Sequence, residues 1–179
     1  MKIMLATDIH GSKYFAEKLL QLFIEEKPDK LVILGDLYYH GPRNPLPREY
    51  APIEVANLLN SIKDKLIVIK GNCDSEVDEM VSEFNFLNSA ILSVGGRKVF
   101  LTHGHKFNKD TLPELKKDDI LFYGHFHKNE LVVVNGVIAV CIASISMPKQ
   151  GEQSAYAILT DKGIEIKNLE KEVFIDYIF

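Results

Sequence analysis

Leu31-Val32-Ile33-Leu34-Gly35-Asp36 is an unbroken apolar run closed by a glycine and an acid. A strand that is apolar at every position suits burial on both faces, the habit of parallel strands covered by helices. The same pattern recurs on either side. Lys2–Thr7 is a short apolar run leading into Asp8-Ile9-His10, and Leu66–Ile69 leads into Gly71-Asn72. Between the first two runs, Ser12 is placed to cap a helix. Leu19, Leu20, Leu22 and Phe23 recur there at helical spacing until Pro28-Asp29 ends it. Tyr38 to Pro52 holds four prolines and reads as a long loop. Ile53 to Ile62, with Val55, Leu58, Leu59 and Ile62 on one side, predicts a second helix. Strand–helix–strand–helix–strand is the signature of a parallel sheet with helices packed on it.

The second half of the chain changes character. Ile91–Val94 and Lys98–Thr102 flank Gly95-Gly96, Leu131–Val134 and Val137–Cys141 flank Asn135-Gly136, and Ala155–Leu159 and Ile164–Lys167 flank Asp161-Lys162-Gly163. Each is a hairpin signal. Ile120–Tyr123 is a further short strand. The expected fold is therefore α/β: two packed sheets with helices outside, in four α/β/β/α layers. Residues 1–179 form one domain without linker or repeat. The run Val173-Phe174-Ile175-Asp176-Tyr177-Ile178-Phe179 carries three aromatics and is expected to be ordered, as a late strand or as a contact within a homo-oligomer.

Composition bounds the function classes. Charged residues are 26% and hydrophobic residues 46% of the chain, as in ordinary soluble domains. A net charge of -4 gives no electrostatic reason to bind nucleic acid. No apolar segment approaches the ~20 residues that span a bilayer, and the N-terminal run is too short for a signal-peptide core. Cys73 and Cys141 lie in dissimilar settings, which is poor evidence for a disulfide. A cytoplasmic protein is expected, with no membrane partner.

The chemistry lies at the strand ends. Asp8-Ile9-His10, Gly35-Asp36, Gly71-Asn72-Cys73-Asp74, His103-Gly104-His105 and Gly124-His125-Phe126-His127 each follow an apolar run. Ligands bind beyond the carboxyl ends of strands in open α/β sheets, so five distant motifs can converge there. Imidazole, carboxylate and amide oxygen are ligands for borderline divalent metals. There are more of them here than one ion needs, which points to a two-metal hydrolytic centre. Any one motif taken by itself reads as readily as a turn; the five together do not.

This order of motifs resembles the calcineurin-like metallophosphoesterase superfamily, whose pattern is Asp-x-His, Gly-Asp, Gly-Asn-His-Asp/Glu, a His, and Gly-His-x-His. The short chain, Gly71-Asn72-Cys73-Asp74 and the loop His40-Gly41-Pro42-Arg43-Asn44 look most like its YfcE-like phosphodiesterase subfamily. The resemblance implies a phosphodiesterase acting on a small phosphoester. Asp8, His10 and His127 would hold one metal, Asn72, His103 and His125 the other, and Asp36 would bridge them. A metal-bound hydroxide would attack phosphorus in line. Mn²⁺ is the expected ion, with Fe, Co, Ni and Zn also suited to mixed nitrogen and oxygen ligation. Cys73 stands where the family has a histidine, which is thought to contact the substrate or protonate the leaving group, with the following acid orienting it; Asp74 is that acid, a catalytic candidate by position, and here it has no histidine to orient. Cys73 reads equally as a small residue in a tight turn. His105 is a further candidate for substrate contact, or a solvated loop residue. His40 and Arg43 are candidates for substrate binding, or for stapling their own loop; Arg suits bidentate phosphate recognition. Two alternatives stand beside this reading: a monoesterase or nucleotide hydrolase, and a non-enzymatic scaffold like the small retromer subunit that shares the fold.

Overall fold

The computed structural model describes all 179 residues. β1 (Ile3–Ala6), β2 (Lys30–Ile33) and β3 (Leu66–Ile69) pair in parallel, joined by α1 (Lys13–Glu26) and α2 (Pro52–Asn60). A short α3 (Glu76–Val81) leads to β4 (Phe86–Leu87), which pairs in parallel with β3. Then come β5 (Ala90–Val94), β6 (Arg97–Leu101), β7 (Ile120–Tyr123), β8 (Glu130–Val134) and β9 (Val137–Cys141). β10 (Ala155–Leu159), β11 (Gly163–Asn168) and β12 (Val173–Ile178) return to the first sheet. One sheet has the order β12-β11-β10-β1-β2-β3-β4 and the other β5-β6-β7-β9-β8. In the second, β6, β7 and β9 are parallel and only the edge strands run the other way.

Side-chain alternation along β1 shows how the layers form. Ile3 and Leu5 face a cluster of 18 buried residues between the sheets, which includes Val32, Leu101, Phe122 and Val140. Met4 and Ala6 face a second cluster with Ala16, Leu19 and Leu22 of α1 and Val55, Ala56 and Leu59 of α2. A strand buried on both faces needs apolar residues at every position, as the sequence has. Ser12 caps α1 by accepting the Phe15 N–H, and the helix ends at left-handed Lys27 just before Pro28. The turns Gly95-Gly96 and Asn135-Gly136 have positive φ at both residues, as hairpins of matching twist require.

The two-sheet sandwich agrees with the sequence expectation, and three details differ from it or add to it. The outer face of the second sheet, with Leu121, Tyr123 and Val137, is covered by irregular chain through Leu112 and Leu115 rather than by a helix. α3 and β4 escape sequence reading because six and two residues are too short to show a period, and α3 buries no side chain. The C-terminal run is β12, the edge strand beside β11, with Ile175, Tyr177 and Phe179 against the inter-sheet core. No helix is long and apolar enough to cross a membrane. Both cysteines are free.

Candidate metal centre

The parallel strands of both sheets end on one side of the molecule, and their loops are tied together there. Asp8 N–H donates to Gly35 O at 3.0 Å, His10 N–H to Asp36 O at 2.9 Å, and Gly124 N–H to His103 O at 2.7 Å. His125 N–H donates to Asp8 Oδ2 at 3.1 Å and so bridges the two sheets. Two glycines are needed for close approach. A Cβ on Gly71 would overlap the Asp36 carboxylate, and one on Gly124 would overlap Thr7 Oγ1. Five of the predicted ligand residues have left-handed backbones: Asp8, His10, Asp36, His125 and His127, with φ between 51° and 66°. L-residues pay for that conformation, and such strain gathers at functional sites.

The side chains form two adjoining groups. Asp8 Oδ1, His10 Nε2 and His127 Nε2 make a triangle with edges of 3.4, 3.3 and 3.3 Å. Asp36 Oδ2 lies 3.9 Å from His10 Nε2 and 3.4 Å from His103 Nε2, so it stands between the groups. His103 Nε2 is 2.9 Å from Asn72 Oδ1, and its ring centroid is 5.1 Å from that of His125. His105, which is exposed, has its ring centroid 5.4 Å from that of His103.

A cation fits this arrangement. Donors held at about 2.0–2.1 Å in a tetrahedron stand about 3.3–3.4 Å apart, which matches the triangle. Asp8 Oδ1 is buried without a hydrogen-bond partner, an expensive state unless it ligates something. The imidazoles are set for it as well. Nδ1 of His10, His103 and His127 meets a backbone carbonyl, of Tyr39 at 2.8 Å, Leu34 at 2.7 Å and Met147 at 2.6 Å. A carbonyl only accepts, so Nδ1 carries the proton and Nε2 is left with its lone pair free to ligate a cation.

Electrostatics follow from crowding two carboxylates and four imidazoles together. Burial works against the Asp8 carboxylate, but contacts with His10 and His127 outweigh it and hold the group well below the usual range. Burial likewise opposes charge on His103, yet the Asp36 carboxylate raises it to about 9. Burial and the charge of His103 lower both His125 and His105.

Two predicted residues, Asp74 and His40, sit otherwise than expected. Asp74 orients no neighbouring catalytic group. Its carboxylate accepts the N–H groups of Asp36, Leu37 and Gly71, each at 2.8 Å, and fastens the loops after β2 and β3. Burial and the nearby Asp36 push it up to about 6. Cys73 does reach the site, and its N–H donates to Asp36 Oδ1 at 2.8 Å. Burial, then Asp36, raises its thiol to about 12. His40 lies outside the cleft lining, edge-on between Tyr39 and Tyr50. Arg43 does line the cleft.

Nothing in the order of residues marks the supporting groups. Thr7 Oγ1 donates to Asp8 Oδ2 at 2.5 Å, and Ser144 Oγ and Ser146 Oγ donate to Asp8 O at 2.7 and 3.1 Å. The segment Ser146–Lys149 forms one wall of the cleft. Its hydroxyls and carbonyls act through local geometry that no spacing in the chain announces.

Comparison with known proteins agrees with this geometry. The profile of the calcineurin-like phosphoesterase superfamily domain matches residues 1–163. The chain is 40% identical over 178 residues to Phosphodiesterase YfcE of Escherichia coli K12, covering 98% of this chain and 96% of that protein. The solved structure of YfcE, a phosphoesterase from E. coli, superposes with a TM-score of 0.96 at 38% identity, over 99% of each chain. Vps29 of Chaetomium thermophilum, with a TM-score of 0.66 at 13% identity over 99% of this chain and 98% of that one, shares the fold.

Proposed function

The chain belongs to the calcineurin-like phosphoesterase superfamily and is a phosphodiesterase, and we propose that its seven clustered ligands hold two divalent metal ions at which a small phosphodiester is hydrolysed. The observation that carries this reading is the position of Asp36 Oδ2 between His10 Nε2 and His103 Nε2, beside the unpartnered Asp8 Oδ1. Asp8, His10 and His127 would hold one ion and Asn72, His103 and His125 the other, with Asp36 shared. Such a pair of cations supplies charge stabilisation to the phosphoryl oxygens and makes a water nucleophilic near neutral pH.

The protein's own groups do the rest. Carbonyls of Tyr39, Leu34 and Met147 fix three imidazole tautomers, so no reorganisation is needed during turnover. Arg43 lines the cleft, exposed, where a guanidinium can bind an anionic part of the substrate. Asp36 Oδ1 is held by the Cys73 N–H, which leaves Oδ2 directed at the histidines. Cys73, with its thiol raised to about 12, is a poor proton donor, so the site favours esters whose leaving group departs as a stable anion. Scaffolding without catalysis would not require a full ligand set, and this chain keeps every position.

The test is hydrolysis of a bis-aryl phosphodiester against its aryl monoester after chelation and re-addition of single metals. Chelation should abolish turnover, Mn²⁺ should restore it better than Mg²⁺, and the diester should be the better substrate. Absence of hydrolysis with every divalent metal would overturn the reading.

A further inference from the structure

The cleft above the ligand cluster is larger than a phosphodiester linkage requires. It encloses about 1200 Å³, more than the roughly 300–1,000 Å³ of ordinary small-molecule pockets. Most of it must therefore hold the arms of the substrate. One wall is the Tyr39–Pro45 segment, and the other combines Phe126 with Ser146–Lys149. Both walls are anchored on the metal-site histidines. Tyr39 O accepts from His10 Nδ1 at 2.8 Å. Met147 O accepts from His127 Nδ1 at 2.6 Å, while Lys149 N–H donates to His127 O at 2.9 Å.

Each wall carries one cation, Arg43 on the first and Lys149 on the second, both exposed at the cleft. Neither is held by a carboxylate, so both side chains are free to meet a ligand in the cleft. The only carboxylate lining the cleft is Asp36, on its floor within the ligand cluster. The chain as a whole has a net charge of -4, whereas the cleft lining carries Arg43 and Lys149 against Asp36. A diester linkage has a single negative charge, which cations held by the ligand cluster on the floor would meet. Two unpaired cations on opposed walls are a surplus that a neutral arm would not use.

We propose that the site selects phosphodiesters whose second arm bears a further negative charge, and that Lys149 is a specificity-determining residue that reads this charge together with Arg43. The proposal rests on the phosphodiesterase reading above.

The experiment uses two para-nitrophenyl phosphodiesters that share their leaving group and differ only in the other arm, one methyl and one carboxyalkyl. In both, a water oxygen bonds to phosphorus as the aryl P–O bond breaks. The electron pair leaves on para-nitrophenolate, and the water's protons pass to solvent. At low salt the metal-loaded protein should favour the charged arm in kcat/KM by about tenfold, and rising salt should shrink that preference. Lys149→Gln should cut the preference about threefold and Lys149→Glu should reverse it. Calorimetric titration with the matching non-hydrolysable phosphonates should give the same order of affinities. Hydrolysis of both esters with no preference, or an equal effect of Lys149→Gln on both, would overturn the proposal and leave the phosphodiesterase reading standing. Hydrolysis of neither ester with any divalent metal would overturn that reading and this proposal with it.

Discussion

Asp74 Oδ2 accepts the backbone N–H of Asp36 at 2.8 Å, and the same carboxylate accepts from Leu37 and Gly71. The loop that carries Asp36 is thereby tied to the loop that carries Asn72. Asp74 is thus a positioning residue, buried behind the site. Asp74→Asn replaces one of the two acceptor oxygens with an NH2 group, which donates and cannot accept, so at least one N–H loses its partner. A hydrogen bond to a charged group contributes about 1.5–3 kcal/mol, and urea denaturation should show a loss of that size. Metal affinity should fall as well, measured by titration under conditions where the variant is folded. Full stability with unchanged affinity would show that the clamp is dispensable.

Asp36→Asn should be the most damaging single change to the site. It removes the one carboxylate placed between His10 and His103, so both groups of ligands should weaken together. Elemental analysis should find fewer than two metal ions per chain and negligible diester hydrolysis. A variant that keeps two ions and normal turnover would remove the bridging assignment.

The ligand backbones predict a trade between stability and function. His125 has a φ of 66°, a conformation that costs an L-residue about 1–2 kcal/mol and glycine little. Glycine's greater freedom in the unfolded chain offsets part of that gain. His125→Gly should therefore melt no lower than the parent in the metal-free state, while losing most of its activity. Calorimetry under chelation reads the first part, and a drop of many degrees would contradict it.

Far from the site, Glu26 joins the C-terminal end of α1 to the first sheet. It accepts from Lys2 Nζ at 2.7 Å, Tyr156 OH at 2.8 Å and Lys167 Nζ at 3.1 Å. Burial opposes its charge, but these donors outweigh it and lower the carboxyl to about 2. Because the folded value lies below the unfolded one of about 4.3, the stabilisation is fully present above pH ~5. It is lost as pH falls toward 2. Glu26→Gln should cost about 2 kcal/mol at pH 7, and the gap to the parent should close on acidification. Paired denaturation curves at neutral pH and near pH 3 would check it.

Most of the fold was legible because its signals are local. The both-faces-buried run Leu31–Leu34, the cap at Ser12 and the turns at Asn135-Gly136 each carry their own chemistry, and each appears where the sequence puts it. The ligand cluster was legible because its motifs end strands, and strand ends converge. What stayed hidden depends on three-dimensional neighbours. Asp74 looked like a partner for residue 73 because it is adjacent in sequence, yet its backbone partners Asp36 and Leu37 come from another strand end. His40 follows Asp36 by four residues but turns toward Tyr50. The carbonyls of Tyr39, Leu34 and Met147 that orient the imidazoles are backbone atoms, which every residue has and no residue type announces.

Cys73→His should alter catalysis more than folding. The position lies on the cleft wall and is only partly buried, with Asn72 Nδ2 3.4 Å from its Sγ, so a larger ring must turn toward the open cleft. Cysteine there is held at about 12 and has little capacity to protonate a departing oxygen. A histidine titrates near neutrality and can donate. Well-placed general acids bring about 10²–10⁴-fold. The gain here should be nearer tenfold, because Asp74 is committed to three backbone amides and leaves the new ring unoriented. The effect should be greatest for esters with poor leaving groups and least for activated aryl esters, which depart with little protonation. Steady-state rates for two diesters of very different leaving-group pKa, with metal content measured alongside, decide the matter. Equal changes for both esters, or a loss of bound metal, would show that residue 73 does not stand beside the leaving group.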